Sequence, residues 1–135
     1  MSFIFLRKLA EKIYDELGCY HTELTYQNAF EQELLMNNIP YVREYPVSIL
    51  YFGTMVGKSF VDFLVQDKYI LEFKAVTKIL DKKKIVKGNS GKNINKQVQK
   101  YMIALNLPHA YVINFGNEDK LEVCKIKSER YGYEN

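Results

Sequence analysis

Leu6, Ala10, Ile13 and Leu17 step along the chain by four, three and four, while Lys8, Glu11, Lys12, Asp15 and Glu16 fall on the other faces. That spacing predicts an amphipathic helix, with Gly18 as the residue that ends it. A second helical pattern runs from about Thr22 to Asn37, offers Leu24, Phe30 and Leu34 for burial, and is broken by Asn38-Ile39-Pro40. After Pro40 the texture turns β-branched and aromatic in three runs, Tyr41 to Tyr51, Ser59 to Val65 and Tyr69 to Val76. Phe52-Gly53, Gly57-Lys58 and Gln66-Asp67-Lys68 separate them, so the pattern predicts an antiparallel meander. Lys82 to Asn93, with Gly88, Ser90 and Gly91, has no apolar period and reads as an exposed loop. Val98, Met102 and Leu105 then predict a third helix from about Ile94 to Leu105. Two further strands, His109 to Phe115 and Leu121 to Ile126, flank the turn Gly116-Asn117-Glu118-Asp119. The order α-α-β-β-β-α-β-β predicts an α/β layered fold with a mixed sheet.

Length and composition set the scale. A chain of 135 residues with 47% apolar residues, seven Gly and three Pro is expected to form one compact domain over 1–135, which excludes a multi-domain enzyme and a disordered tail. Cys19 and Cys124 lie far apart, and no Cys/His cluster has zinc-ligand spacing. A reducing, intracellular setting, cytoplasm or nucleus, is expected. The first residues carry an apolar run of only four, Phe3-Ile4-Phe5-Leu6, far short of a signal-peptide core or a membrane span. The reading is therefore a soluble, unprocessed protein with no membrane partner.

Total charge is modest at +3, but its placement is uneven. Between Lys74 and Lys100 nine lysines face the lone acid Asp81, a net +8, which leaves −5 for the rest of the chain. Lysines in such a segment suit the phosphates of a polyanion, supplying affinity without reading sequence. Lys82, Lys83, Lys84, Lys87, Lys92, Lys96 and Lys100 are the candidate nucleic-acid contacts. Lys92, Lys96 and Lys100 step by four and would share a helix face if the third helix begins early enough. A solvated loop whose charge confers solubility is the plainer reading of the same stretch.

Two residues break their local pattern. Asp62 interrupts the apolar run Phe60-Val61-Asp62-Phe63-Leu64-Val65, where burying a carboxylate costs several kcal/mol unless it is paired or meets a cation. Glu72 does the same in Ile70-Leu71-Glu72-Phe73-Lys74, with Lys74 on its own side of the strand by the two-residue period. A hairpin through Gln66-Asp67-Lys68 that sets Val65 opposite Tyr69 also sets Asp62 opposite Glu72. Two facing carboxylates repel unless something positive lies between them. Oxygen-only ligation by two acids is Mg²⁺ or Mn²⁺ chemistry, and the Lys74 ammonium could offset charge on a phosphorane-like transition state. Alternatives stay open at this point: Glu72 and Lys74 as an exposed pair on a solvated strand face, and Asp62 as an edge-strand charge that discourages aggregation.

Asp62, a ten-residue interval and Glu72-Phe73-Lys74 resemble the PD-(D/E)XK nuclease signature. The rest of the chain resembles one branch of that superfamily, the GxxExxY proteins. Glu23-Leu24-Thr25-Tyr26 matches the ExxY part, Tyr51-Phe52-Gly53 the YxG turn, Lys74-Ala75-Val76 the KAV ending, Gln97 with Tyr101 the QxxxY helix, and Asn114-Phe115-Gly116 the NFG strand end. The resemblance covers roughly residues 10 to 127. It departs in two places: Tyr20 stands where the motif has its glycine, and Ile94 where the family has a histidine.

The resemblance implies a restriction-endonuclease-like core and a metal-dependent nuclease, acting on nucleic acid and on DNA first. It implies Asp62 and Glu72 as ligands of Mg²⁺ or Mn²⁺, Glu23 as an accessory acid of the metal site, Lys74 as the catalytic lysine, and Gln97 as a supporting residue from the third helix. By itself Glu23 reads as an N-terminal helix carboxylate favoured by the dipole, and Gln97 as a surface residue. Tyr26 and Tyr101 read as core aromatics and stay outside the catalytic set. Small nucleases of this kind often act as dimers, so a homodimer is among the expected partners. Two other functions compete: a nucleic-acid-binding module that keeps the fold and the acid pair without turnover, and an assembly protein that uses the exposed edge of its sheet.

Overall fold

The computed structural model describes residues 2–77 and 89–128, with residues 89–93 described by their backbone only. Helices α1 (Phe3–Leu17) and α2 (Glu23–Met36) come first, followed by strands β1 (Tyr41–Tyr51), β2 (Thr54–Val65) and β3 (Tyr69–Lys74), helix α3 (Asn89–Leu105), and strands β4 (His109–Asn114) and β5 (Glu122–Ile126). The sheet runs β1-β2-β3-β4-β5, antiparallel at every junction except β3 with β4, which are parallel. This is the α/β order and mixed sheet expected from the pattern. Among the described residues, no helix is long and apolar enough to cross a membrane.

Helices cover both faces of the sheet. On one, Leu6, Leu9, Ala10 and Ile13 of α1 and Tyr26, Phe30 and Leu34 of α2 pack against Phe63, Leu71, Phe73, Ile113 and Phe115. On the other, Ile94, Val98, Tyr101 and Met102 of α3 cover Leu64, Ile70, Ala110, Val112 and Ile126. β3 lies between both layers, and its residues from Tyr69 to Phe73 are all buried. A strand covered on two sides is a near-continuous apolar run, which makes the Glu72 carboxylate an exception held in the interior at 5% exposure.

Several boundaries differ from the sequence reading for physical reasons. In α2 the buried positions are Tyr26, Phe30 and Leu34, at steps of four, whereas Leu24 is 61% exposed. Leu24 falls two positions from Tyr26 and so faces away from the buried stripe. Helix α3 begins at Asn89, not Ile94, so part of the expected Lys82 to Asn93 loop is helical. Asn and Ser signal loops but equally favour helix starts, which hid the boundary. β2 begins at Thr54 and passes through Gly57-Lys58, which had marked a break. β3 stops at Lys74, two residues short of Val76.

Candidate active site

The site lies where β2 and β3 part. Gln66 and Asp67 turn the hairpin with positive φ, and the register runs Val65 to Tyr69, Leu64 to Ile70 and Phe63 to Leu71. The next rung would join Asp62 to Glu72, as expected from the sequence, but no backbone rung forms there. Side chains replace it. The Asp62 N–H donates to Glu72 Oε1 at 3.1 Å, and the Phe73 N–H donates to Asp62 Oδ2 at 2.8 Å. Each carboxylate thus takes a backbone donor from the opposite strand, and the two carboxyl groups also share a hydrogen bond.

The other neighbour of Asp62 is irregular as well. β1 pairs Arg43 with Phe63 and Tyr45 with Val61, but Glu44, between them, has φ of 55° and is skipped. Strict alternation would send Val61 and Phe63 to one face. Instead Phe63 joins the core under α1 and α2, while Val61 joins the core under α3. The strand pair rotates at Asp62. A non-glycine residue in the left-handed region costs about 1–3 kcal/mol and persists where its surroundings hold it.

Burial governs the electrostatics. Desolvation raises the Glu72 carboxyl from its ordinary 4.5 to about 8, and the Asp62 charge adds to the rise. Asp62 is also raised, first by burial, against the Phe73 N–H, which favours its charged form; Glu23 pushes it up and Lys74 pulls it down. The acids titrate as a coupled pair, both carboxyls held above their ordinary range by burial first.

The remaining candidates stand around this pair at different ranges. Glu23 is the first residue of α2, behind the cap formed by Thr22, whose side chain accepts from the Thr25 N–H. It is part-buried, and its charge reaches Asp62. The position reconciles both readings of Glu23, as a carboxylate at a helix N-terminus and as an acid near the pair. Tyr26 fixes that helix end: its hydroxyl donates to the Gly18 carbonyl at 2.5 Å, accepts from the His21 N–H, and its ring stacks on Phe115 with centroids 4.5 Å apart. The turn bends at Gly18, φ 70°, whereas Tyr20 has no positive φ. A glycine is therefore not needed at Tyr20.

Lys74 ends β3, and its charge acts on both acids. Gln97 reaches them only through an intermediary: its Nε2 donates to the Tyr101 hydroxyl at 2.9 Å, which donates to the Phe60 carbonyl at 3.0 Å. Tyr101 is fully buried and its hydroxyl is pushed up to about 12, by burial first and by Glu72 second. Tyr101, a core aromatic by its sequence pattern, thus stands where the charges of both acids act on its hydroxyl. Lys96 and Lys100 are exposed on α3, whose backbone carries positions 92, 96 and 100 at steps of four. Lys82, Lys83, Lys84, Lys87 and the side chain of Lys92 lie outside the described residues.

Asn114 was missed as a positioning residue. It is fully buried; its Oδ1 accepts from the Val76 N–H at 2.9 Å and the Gly116 N–H at 3.2 Å, while its Nδ2 donates to the Val76 carbonyl and to Glu122 Oε1, both at 2.8 Å. All four amide positions are used. The Phe115 N–H adds a bond to the Lys74 carbonyl at 2.9 Å. The end of β4 thus holds the chain at Lys74 and just beyond it. An Asn closing the apolar run His109 to Phe115 is the same kind of anomaly as Asp62, and that was the available signal.

The donor set suits a divalent cation. The Asp62 and Glu72 carboxylates, one part-buried and one buried, offer the all-oxygen donor set that such an ion takes, with water completing its shell. Among the described residues no cluster of three or more Asp, Glu, His or Cys side chains converges, so Glu23 does not join the pair directly. A family model described as the PD-(D/E)XK nuclease superfamily matches residues 5–126. No curated protein and no solved structure matches.

Proposed function

The chain belongs to the PD-(D/E)XK nuclease superfamily, and from that premise we propose that it is a metal-dependent nuclease of the GxxExxY branch that hydrolyses phosphodiester bonds of DNA. Members of the superfamily are generally nucleases and typically use divalent metals. The observation that carries the reading is the parting of β2 and β3 at Asp62 and Glu72, where two acids replace a backbone rung. Asp62 and Glu72 would hold Mg²⁺ or Mn²⁺, with Glu23 as the accessory acid. The ion would supply Lewis-acid charge to phosphate oxygens.

Each neighbouring side chain then has a task. The Lys74 ammonium, anchored by the Asn114 clamp, orients the attacking water and offsets negative charge in the transition state. Gln97 holds the Tyr101 hydroxyl on the Phe60 carbonyl and so supports the segment that leads into Asp62. The lysines of α3 and the segment before it meet backbone phosphates.

A cleavage assay titrated with Mg²⁺ and Mn²⁺ on linear, nicked, branched and single-stranded DNA tests the reading. Wild type is expected to cut in the presence of metal and to stop in chelator, and Lys74→Ala is expected to bind DNA but not cut it. Equal activity in Lys74→Ala and wild type would refute the assignment. Absence of turnover at every metal concentration, with DNA binding retained, would favour the silent binding module.

Binding has its own signature. Each phosphate that the protein ceases to neutralise lowers the slope of log affinity against log salt by about 0.9 on duplex DNA. The double variant Lys96→Ala, Lys100→Ala is therefore expected to flatten that slope by roughly two, read by fluorescence anisotropy over a salt series. An unchanged slope would remove α3 from the DNA surface.

A further inference from the structure

The outer halves of β1 and β2 form an arm with an unusual surface. From Tyr45 to Gly57 the chain carries thirteen consecutive residues without a charge, in a protein that is 26% charged. Its tip is a two-residue turn with φ of 47° at Phe52 and 80° at Gly53, the backbone of a tight hairpin. Phe52 is 93% exposed, and Ile49, Leu50, Tyr51, Met55 and Val56 are exposed beside it. Tyr51 and Phe52 alone leave about 300 Å² of ring surface in water. With the aliphatic residues and Ile103 of α3, the patch is on the order of 600–800 Å², near the ~800 Å² each partner contributes to a standard interface.

The same region holds a complementary hole. A cavity of about 240 Å³ opens between β1 and α3, walled by Val47, Ile49, Leu50, Ile103, Ala104 and Tyr101, with Lys100 at its side. β1 is an edge strand of the sheet. Its first half is protected from pairing by the skipped residue Glu44 and by Pro46, and a register shift between Ile49 and Leu50 interrupts the second half. Lys58 pairs with Ser48 toward the arm's base and Lys100 stands beside the cavity, but the tip itself, Ile49 to Gly57, carries no cation to meet a phosphate.

We propose that this arm is a self-association surface, on which a second copy of the chain docks across a two-fold axis, with Phe52 of each copy in the cavity of the other. Knob and hole lie on the same hairpin and its flanking helix, so the contact is isologous and closes at two copies. The proposal rests on the arm and not on the nuclease reading, and either can fail without the other.

Sedimentation velocity over a dilution series of the full chain tests it, with Phe52→Asn and Ile103→Glu as variants on knob and hole. Asn tolerates the positive φ at the tip, and Ile103 is exposed, so both variants are expected to keep the wild-type melting temperature. Wild type is expected to approach twice the 15.9 kDa chain mass as concentration rises, and both variants to stay at one chain mass. Wild type at one chain mass throughout would overturn the proposal, as would a dimer that both variants leave intact. Loss of affinity for branched DNA in Phe52→Asn, with sedimentation unchanged, would assign the tip to nucleic acid instead.

Discussion

Glu72→Gln is expected to lower cleavage by more than about 10²-fold and, in chelator at pH 8.5, to melt at a higher temperature than wild type. Glu72 is 5% exposed and its carboxyl is held near 8, by burial first and by the Asp62 charge second. The folded value lies above the unfolded one, near 4.5, so between the two the folded chain keeps a proton that the unfolded chain gives up. The stability this proton provides is complete below about pH 4.5 and declines as pH rises through about 8. Gln has the shape of the protonated acid and keeps an acceptor for the Asp62 N–H, but it never ionises. The difference between the proteins should therefore be small at pH 5 and reach a few kcal/mol, in order of magnitude, at pH 8.5. Urea melts in chelator at both pH values measure it. A variant no more stable than wild type at pH 8.5 would mean that the acid pair is not a buried conflict, and undiminished cleavage would take Glu72 out of the reaction. Opposite signs on activity and stability are expected of a site kept strained for function.

That conflict was legible in the sequence because each acid interrupts an apolar run, and because hairpin counting carries one opposite the other. The order of elements was legible for a similar reason: Gly18, Pro40, Gly53 and Gly116 punctuate segments whose periods differ. What stayed hidden depends on contacts across the fold. The missing rung at Asp62 and Glu72 follows from two side chains winning backbone donors over the opposite strand's carbonyls, a competition with no local signature. The rotation at Glu44 is equally silent, since nothing in Arg43-Glu44-Tyr45 favours a positive φ. Leu24 was misjudged because hydrophobicity alone does not say which of two helical stripes meets the sheet, and Tyr26, with its hydroxyl tied to Gly18, took the place. The family motifs were recognised as strings. Their physical content emerged from the hydrogen bonds, which make Tyr26 an anchor for Glu23 and Asn114 a clamp beside Lys74.

The clamp leads to the largest expected loss of stability. Gly116→Ala is expected to cost about 3 kcal/mol or more, the upper range for overpacking, and to lower the melting temperature by on the order of 10 °C. A Cβ at Gly116 would stand 2.5 Å from both the N and the O of Val76 and 2.6 Å from the Ala75 carbonyl carbon. These are backbone atoms and cannot rotate aside as a side-chain end can. The Val76 strap must move outward, and its N–H and carbonyl are the two groups that Asn114 holds. Moving them leaves the buried amide of Asn114 short of partners, adding a desolvation cost of about 1–3 kcal/mol to the steric one. Since Val76 lies two residues beyond Lys74, the shift also misplaces the ammonium, and cleavage should fall further than the loss of folded protein explains. Gly53→Asn is the contrasting substitution: the space around Gly53 is open and its φ of 80° is one that Asn accepts, so a change within about 1 kcal/mol is expected. Calorimetry on the two variants separates steric demand from the mere loss of a glycine. Should Gly116→Ala melt with wild type, the close approach of the Val76 strap to β4 is wrong, and with it the account of how Lys74 is held beside the acids.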